Sequence, residues 1–156
     1  SWNDQPNRQA ASTRVPTYLN PGVVASPAAA AETHYVGIAG LGEDAATLPV
    51  TSKRAGVFGV DRKTRLRDIT DGTSNTMMIS EANAPYGPWV SGGQATVRAL
   101  TAKPYINGPD GIGGPYRGGC NIGMADGSVR FVSENIDPIV FERLSTMADG
   151  QPVPPF

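Results

Sequence analysis

Cysteine, histidine, charge and long apolar runs are all scarce in this chain, and each scarcity removes a class of function. The one cysteine, Cys120, rules out an intrachain disulfide and a multi-cysteine metal site. Exported proteins also fold without disulfides, so cysteine usage leaves the compartment open. The one histidine, His34, stands apart from any serine, cysteine or carboxylate motif and reads as a strand or packing residue. Neither a Gly-x-Ser-x-Gly elbow nor a His-Glu-x-x-His pair occurs. Hydrolysis needs an activated nucleophile, a metal or two facing carboxylates, so the sequence points away from an enzyme. Charged residues make up 17% of the chain, and 13 basic against 14 acidic residues leave a formal net charge of −1. That balance gives no field that would draw the chain to nucleic acid or anionic lipid. No run approaches the roughly 20 apolar residues of a membrane span, and no signal peptide opens the sequence.

What the chain has in abundance is turn chemistry: 19 glycines and 14 prolines in 156 residues. That composition predicts a single loop-rich domain over residues 1–156, with short elements and many turns. Residues 1–31 read as polar and then Pro- and Ala-rich, with a helical turn or two between Asn3 and Ala11 and a loop at 27–31. Thr33 to Ala39 reads as a strand in which His34, Val36 and Ile38 alternate with Tyr35 and Gly37. Gly56 to Val60 reads as a short extended piece. Leu66 to Ile69 makes one helical turn. Thr76 to Ser80 lacks alternation, as a buried central strand does. Gln94 to Thr101 suits a strand or a short helix. The tail at 151–156 is extended, either disordered or lying in a neighbour's groove.

The strongest local pattern lies around Asp126-Gly127. Alternating apolar residues flank this pair, so it predicts a hairpin over 120–133 with a two-residue type I′ turn. In that register Met124 faces Val129, Ile122 faces Phe131 and Cys120 faces Ser133. Cys120, Ile122, Met124, Val129 and Phe131 then share one buried face. Downstream, Asp137-Pro138 announces a helix over 138–148, with Val140, Phe141, Leu144 and Met147 on its apolar side and Gly150 at its end.

Two loops invite a functional reading. In Thr70-Asp-Gly-Thr-Ser-Asn75, Asp71 and Asn75 are suited to Asx-type turns on their own backbone and Gly72 to positive φ. Ser74 lies in the same loop, and Glu81 follows the next strand with a partner the sequence does not reveal. In Asn107-Gly-Pro-Asp-Gly-Ile-Gly-Gly114, Asn107 and Asp110 are weak calcium candidates. Calcium wants six to eight oxygens, and the alternating Asp positions and closing Glu of a calcium hand are missing. No cofactor is therefore expected beyond that calcium option.

Two blocks carry a resemblance: Arg67-Asp-Ile-Thr-Asp-Gly-Thr-Ser-Asn-Thr-Met-Met-Ile-Ser-Glu81 and Gly118-Gly-Cys-Asn-Ile-Gly-Met-Ala-Asp-Gly-Ser-Val-Arg-Phe-Val-Ser133. They resemble the bacterial family called domain of unknown function 1559, abundant in planctomycetes, whose prepilin-like members end in an H-X9-DG domain. The position separated by nine residues from Asp126-Gly127, which holds the namesake histidine, is Tyr116 here. Thr17-Tyr-Leu-Asn-Pro21 is similar to a block with cysteine at the Asn20 position, so a disulfide through that site is absent. A phenol is a poorer metal ligand than an imidazole, but it can pack beside the hairpin with an apolar body and a polar tip.

The resemblance implies an α+β, pilin- or pseudopilin-like globular head with an antiparallel sheet. It further implies that the sequence starts beyond a hydrophobic N-terminal helix, the only route to a membrane. The expected function is that of a structural subunit of an exported assembly, in the cell envelope or outside the cell, contacting identical or related pilin-like subunits. The alternative is an exported solute- or glycan-binding module using loop aromatics: Trp2, Trp89, Tyr86, Tyr105 or Tyr116.

Overall fold

A computed structural model of the chain describes residues 1–24 and 31–156, so most of the Pro/Ala-rich loop expected at 27–31 lies outside the described residues. The protein has the expected α+β composition. Among the described residues the strands are β1 (Glu32–Thr33), β2 (Tyr35–Leu41), β3 (Met77–Glu81), β4 (Gly87–Pro88), β5 (Val97–Leu100), β6 (Gly119–Met124) and β7 (Val129–Ser133). The α-helices among the described residues are α1 (Arg8–Ala11) and α2 (Pro138–Ser145), accompanied by short 3-10 turns such as Leu66–Asp68.

Five strands form the main sheet in the order β5-β2-β3-β6-β7, and β1 pairs with β4 in a small ribbon. The sheet is mixed rather than antiparallel throughout, because β5 runs parallel to β2. The long connection from Glu81 to Val97 is the reason. It carries the chain around to the far side of β2 instead of folding it back as a hairpin. β3 holds the centre, as its lack of alternation predicts.

The hairpin forms, but with a register one residue away from the expected one. Cys120 pairs with Val132, Ile122 with Arg130 and Gly123 with Val129. The loop has three residues, not two: Gly127 N–H donates to the Met124 carbonyl (3.0 Å) and Met124 N–H to the Ser128 carbonyl (2.8 Å). Only Gly127 takes positive φ, at 87°, as in a type I turn closed by a glycine bulge. The extra residue turns β7 over. Cys120, Ile122, Met124 and Val132 are buried, whereas Val129 and Phe131 are 70% and 58% exposed. Neighbouring backbone helps select this loop, because Ala125 and Asp126 donate their N–H groups to the Thr76 and Thr73 carbonyls.

Helix α2 lies across β2 and β3 on the Ile122 face and seats Phe141 at the centre of the core with Ile38, Leu100 and Met124. Its start is the expected one: the Asp137 carboxylate accepts from Ile139 N–H at 2.8 Å, and Pro138 fills the first turn. Its end is earlier than expected. Thr146 is already extended, and Met147 leaves the helix to donate its N–H to Ala55 and pack with Ile69 in a second cluster. Gly150 therefore serves the following turn rather than the helix end, with φ 75°. The tail packs on its own chain. Val153 touches the core, Arg143 donates to the Pro152 carbonyl, and the Arg130 guanidinium lies 5.2 Å from the Phe156 ring centre.

Candidate functional site

The face of the sheet turned away from α2 carries the polar residues that the motifs single out. Tyr35 pairs with Glu81, and one step beyond the Ser80–Ile122 pair stands Asn121, so Tyr35, Glu81 and Asn121 share that face. Two loops cover this end. One is the turn around Asn20. The other runs from Gly111 to Tyr116 and is clipped to β3 by the Gly113 N–H donating to the Glu81 carbonyl (3.0 Å).

Glu81 is consequently only 4% exposed. Its Oε1 accepts from Asn20 Nδ2 (2.7 Å) and Asn121 Nδ2 (3.2 Å), and its Oε2 accepts from Asn121 backbone N–H (2.6 Å). Every one of these contacts is a donor, so the carboxylate is satisfied by amides alone. No cation pairs with it among the described residues. The arrangement follows the rule that a carboxylate tolerates burial when its lone pairs are met by hydrogen bonds. Gly114 leaves room for it, since a Cβ there would stand 2.7 Å from Oε2.

Asn20 is the hinge of the cluster. Its Oδ1 accepts from Gly22 N–H (2.9 Å) while its own backbone N–H donates to His34 Nδ1 (3.0 Å). Nδ1 thus acts as an acceptor, which assigns the ring proton to Nε2, 3.7 Å from a Glu32 carboxylate oxygen. The buried His34 ring also packs against the Tyr86 ring, tilted by 41° with ring centres 4.3 Å apart. His34 is a packing residue of this cluster, held from three sides. Tyr35 has its phenol pKa raised by burial, with the charges of Glu81 and Tyr116 pushing the same way. On the opposite face, burial lifts the Cys120 thiol to about 11, which keeps it protonated near neutrality and unsuited to attack.

The motif residues collect at two ends of the β3–β6 pair. Tyr116 joins the Glu81 end as a half-exposed cover; a Cβ on Gly22 would collide with its hydroxyl. Asp71, Gly72, Ser74, Asn75, Asp126 and Gly127 gather at the other end, where the Asp126 turn docks on the Thr73 and Thr76 carbonyls. Gly72 has the expected positive φ of 96° and Asn75 Nδ2 donates to the Asp71 carbonyl (3.2 Å). The Asp71 carboxylate differs from expectation. It accepts from the N–H groups of Asp149 (2.7 Å) and Gly150 (3.0 Å), fastening the segment after α2 instead of its own loop. Ser74 stays exposed. Asp126 accepts from the Ser128 hydroxyl (2.7 Å) and backbone (2.9 Å), and those bonds lower its pKa.

The calcium candidates are spent on local structure. Asp110 accepts from Thr101 and Ala102 N–H (2.7 and 3.1 Å) and from the Thr101 hydroxyl, and Asn107 Nδ2 donates to Glu134 (3.2 Å). Among the described residues no three His, Cys, Asp or Glu side chains gather to hold a metal. The five loop aromatics do not converge either. Tyr105 bonds Glu142 (2.6 Å) and stacks on Phe141, while Trp89 donates to the Thr13 carbonyl (3.0 Å) and meets Tyr18. Only Tyr86 lines the main cleft, about 970 Å³ beside β5, and Trp2 lies in a second, shallower one. Sequence reasoning missed Asn121 and the part played by Asn20. The one available signal was Asn121's place on the β6 face opposite Cys120 and Ile122.

Two overlapping stretches, residues 1–99 and 86–139, match the family model described as "Protein of unknown function (DUF1559)". No curated protein and no solved structure matches the chain.

Proposed function

The chain belongs to the DUF1559 family, and from that premise we propose that it is a non-catalytic structural subunit of an exported assembly. In this reading it works through contacts between copies or related subunits. The observation that carries the proposal is the self-sufficiency of the Glu81 cluster. Its carboxylate, both asparagine amides and the His34 acceptor are satisfied by one another, which suits a tie between loops and sheet. What the chain presents outward is apolar: Val129, Phe131 and Tyr116 stand exposed on or beside the face that carries the cluster. Exposed apolar side chains on one face are the usual mark of an interaction surface. The sequence resemblance to prepilin-like proteins agrees with this reading, and export to the envelope or beyond follows from it.

The test is electron microscopy and crosslinking mass spectrometry on native material from cells that make the protein. Regular assemblies with crosslinks between copies or related subunits are expected. A native protein recovered only as an isolated monomer sinks the proposal.

The cleft beside β5 favours the second reading, a small-ligand module, through its size and its Tyr86, Gln94 and Arg98 lining. Against it, the Arg98 guanidinium is consumed by the carbonyls of Gln94, Gly111 and Pro85. A saccharide and small-solute screen followed by thermal shift would reveal such a ligand.

A further inference from the structure

Strand β7 is the outer strand of the main sheet, and its backbone is divided between two sides. The Met124–Ser128 and Gly118–Glu134 bonds fix the alternation of the β6–β7 ladder. By that alternation the even-numbered residues of β7 bond to β6. The N–H and C=O groups of Val129, Phe131 and Ser133 point away from the sheet. Among the described residues those of Val129 and Phe131 have no partner, whereas the Ser133 carbonyl accepts from Ile136 N–H (3.0 Å) and the Ser133 hydroxyl from Asn135 N–H (3.2 Å). These same residues carry the exposed side chains of the open face. Val129 is 70% exposed, and Phe131, 58% exposed, leans over Gly119, where a Cβ would come within 2.8 Å of its ring.

An edge of this kind is a template for another strand unless charge, proline or a covering segment blunts it. Val129-Arg-Phe-Val-Ser133 contains one charge, Arg130, which lies on the other face beside Phe156. The edge is left unprotected.

We propose that β7 pairs with β7 of a second copy, antiparallel, across a two-fold axis through Phe131. The strand's own pattern selects this occupant and this register. With Phe131 opposite its counterpart, Val129 falls opposite Ser133. The two Phe131 residues exchange both outward bonds, each Val129 carbonyl accepts from a Ser133 N–H, and each Val129 N–H uses the second lone pair of a Ser133 carbonyl that already accepts from Ile136. On the face shared with α2, Arg130 falls opposite Val132 of the other copy and diagonal to that copy's Glu134. The two-fold repeats the contact, so two diagonal Arg130–Glu134 pairs outnumber the one diagonal Arg130–Arg130 pair, and no like charges stand directly opposite each other. On the open face the two Phe131 rings meet and extend one apolar surface across a ten-stranded sheet, on the order of twice the strand count of one copy. One strand pairing covers less than the roughly 1,200 Å² of a stable complex, so the isolated chain pairs weakly and the contact gains force where many copies are held together.

This inference rests on the assembly reading and names its surface. The experiment is sedimentation of the 156-residue chain over a wide concentration range, with oxidative crosslinking of two variants. Concentration-dependent dimers are expected for the parent. They should be lost in Phe131→Pro, which removes an outward N–H while sparing the bonds to β6. Arg130→Glu should weaken the dimer, and Arg130→Glu with Glu134→Arg should restore it. Phe131→Cys should give a disulfide-linked dimer, because the axis brings that position within bridging distance of itself. Val129→Cys should not, lying four residues out of step with its own copy. Dimers that survive Phe131→Pro, or equal crosslinking of the two cysteine variants, overturn the edge while leaving assembly by another surface standing. A chain that stays monomeric at every concentration, without Phe131→Cys crosslinks, also overturns the edge. The native-material experiment then decides the assembly reading separately.

Discussion

At the scale of single residues, Glu81 ties the Asn20 turn to the sheet. Its three donors reach it from the Asn20 turn and from β6, so one carboxylate joins segments that are far apart in sequence. Glu81→Gln turns one acceptor oxygen into an amide NH2 donor that faces N–H groups inside a buried site. A loss of about 2 kcal/mol is expected, read as a lower urea midpoint with an unchanged slope. An unaltered midpoint would mean that water already reaches the carboxylate. Cys120 gives a second residue-scale expectation. Its thiol, with an ordinary pKa of 9.0, is pushed to about 11 by burial. Below pH ~9 both folded and unfolded chains keep the proton, and the folded state's advantage is full. Between pH ~9 and ~11 the unfolded chain ionises first, and up to roughly 3 kcal/mol of stability drains away. Urea midpoints measured across that window should fall more steeply for the parent than for Cys120→Ala, with Tyr35 contributing to the fall in both. Of these residues only Cys120's burial was legible beforehand, from strand alternation. The partners of Glu81 were not, because side-chain alternation tells which face a residue takes but not which residue stands across the ladder.

At the scale of elements, the lesson of the hairpin is that pattern and register are separate pieces of information. The alternation through Cys120, Ile122 and Met124 identified β6 and its buried face correctly. The partner strand was inverted because Asp126-Gly127 serves a two-residue or a three-residue loop equally well. The choice between them rests partly on the Thr73 and Thr76 carbonyls, which belong to a distant block of the chain. Helix α2 teaches the same point at its end. Asp137-Pro138 announced its start, a local matter of capping, whereas its end depends on the Ala55 carbonyl and the second cluster drawing Met147 away. Asp71 belongs to this long-range class, since its carboxylate clasps the Asp149 and Gly150 amides. Asp71→Ala should cost about 1 kcal/mol, since it frees the half-buried Asp149 donor beside a packed cluster while water can take over the exposed Gly150 N–H. Hydrogen exchange at Asp149 and Gly150 should rise well before exchange in β3 does. Equal acceleration everywhere would show the clasp to be part of the global core instead.

At the scale of the whole molecule, the chain divides into a bonded body and a leading segment laid on its surface. Helix α1 and the 3-10 turns at Gln5–Asn7 and Pro16–Tyr18 contain no buried residue, and a four-residue helix has little stability of its own. Among the described residues, the polar and aromatic ties to the body that precede the Tyr18 carbonyl are the Trp89 indole N–H to Thr13 and the Trp89–Tyr18 ring pair. The character changes abruptly at Leu19–Asn20. There the Tyr18 carbonyl accepts from His34 N–H, and the Asn20 N–H is buried against the His34 ring. Stability is therefore expected to rise in a step rather than a gradient along this stretch. Amide hydrogen exchange should find residues 5–14 exchanging almost as fast as an unfolded chain, while Asn20 and His34 exchange only with the central strands. Removing residues 1–14 should leave the cooperative unfolding transition nearly where it was and alter chiefly the fluorescence of Trp89, which loses its Thr13 partner. Protected amides between Arg8 and Ala11, or a collapse of the transition in the shortened chain, would show that α1 belongs to the body. The Asn20 turn would then be only one of several anchors for the leading segment.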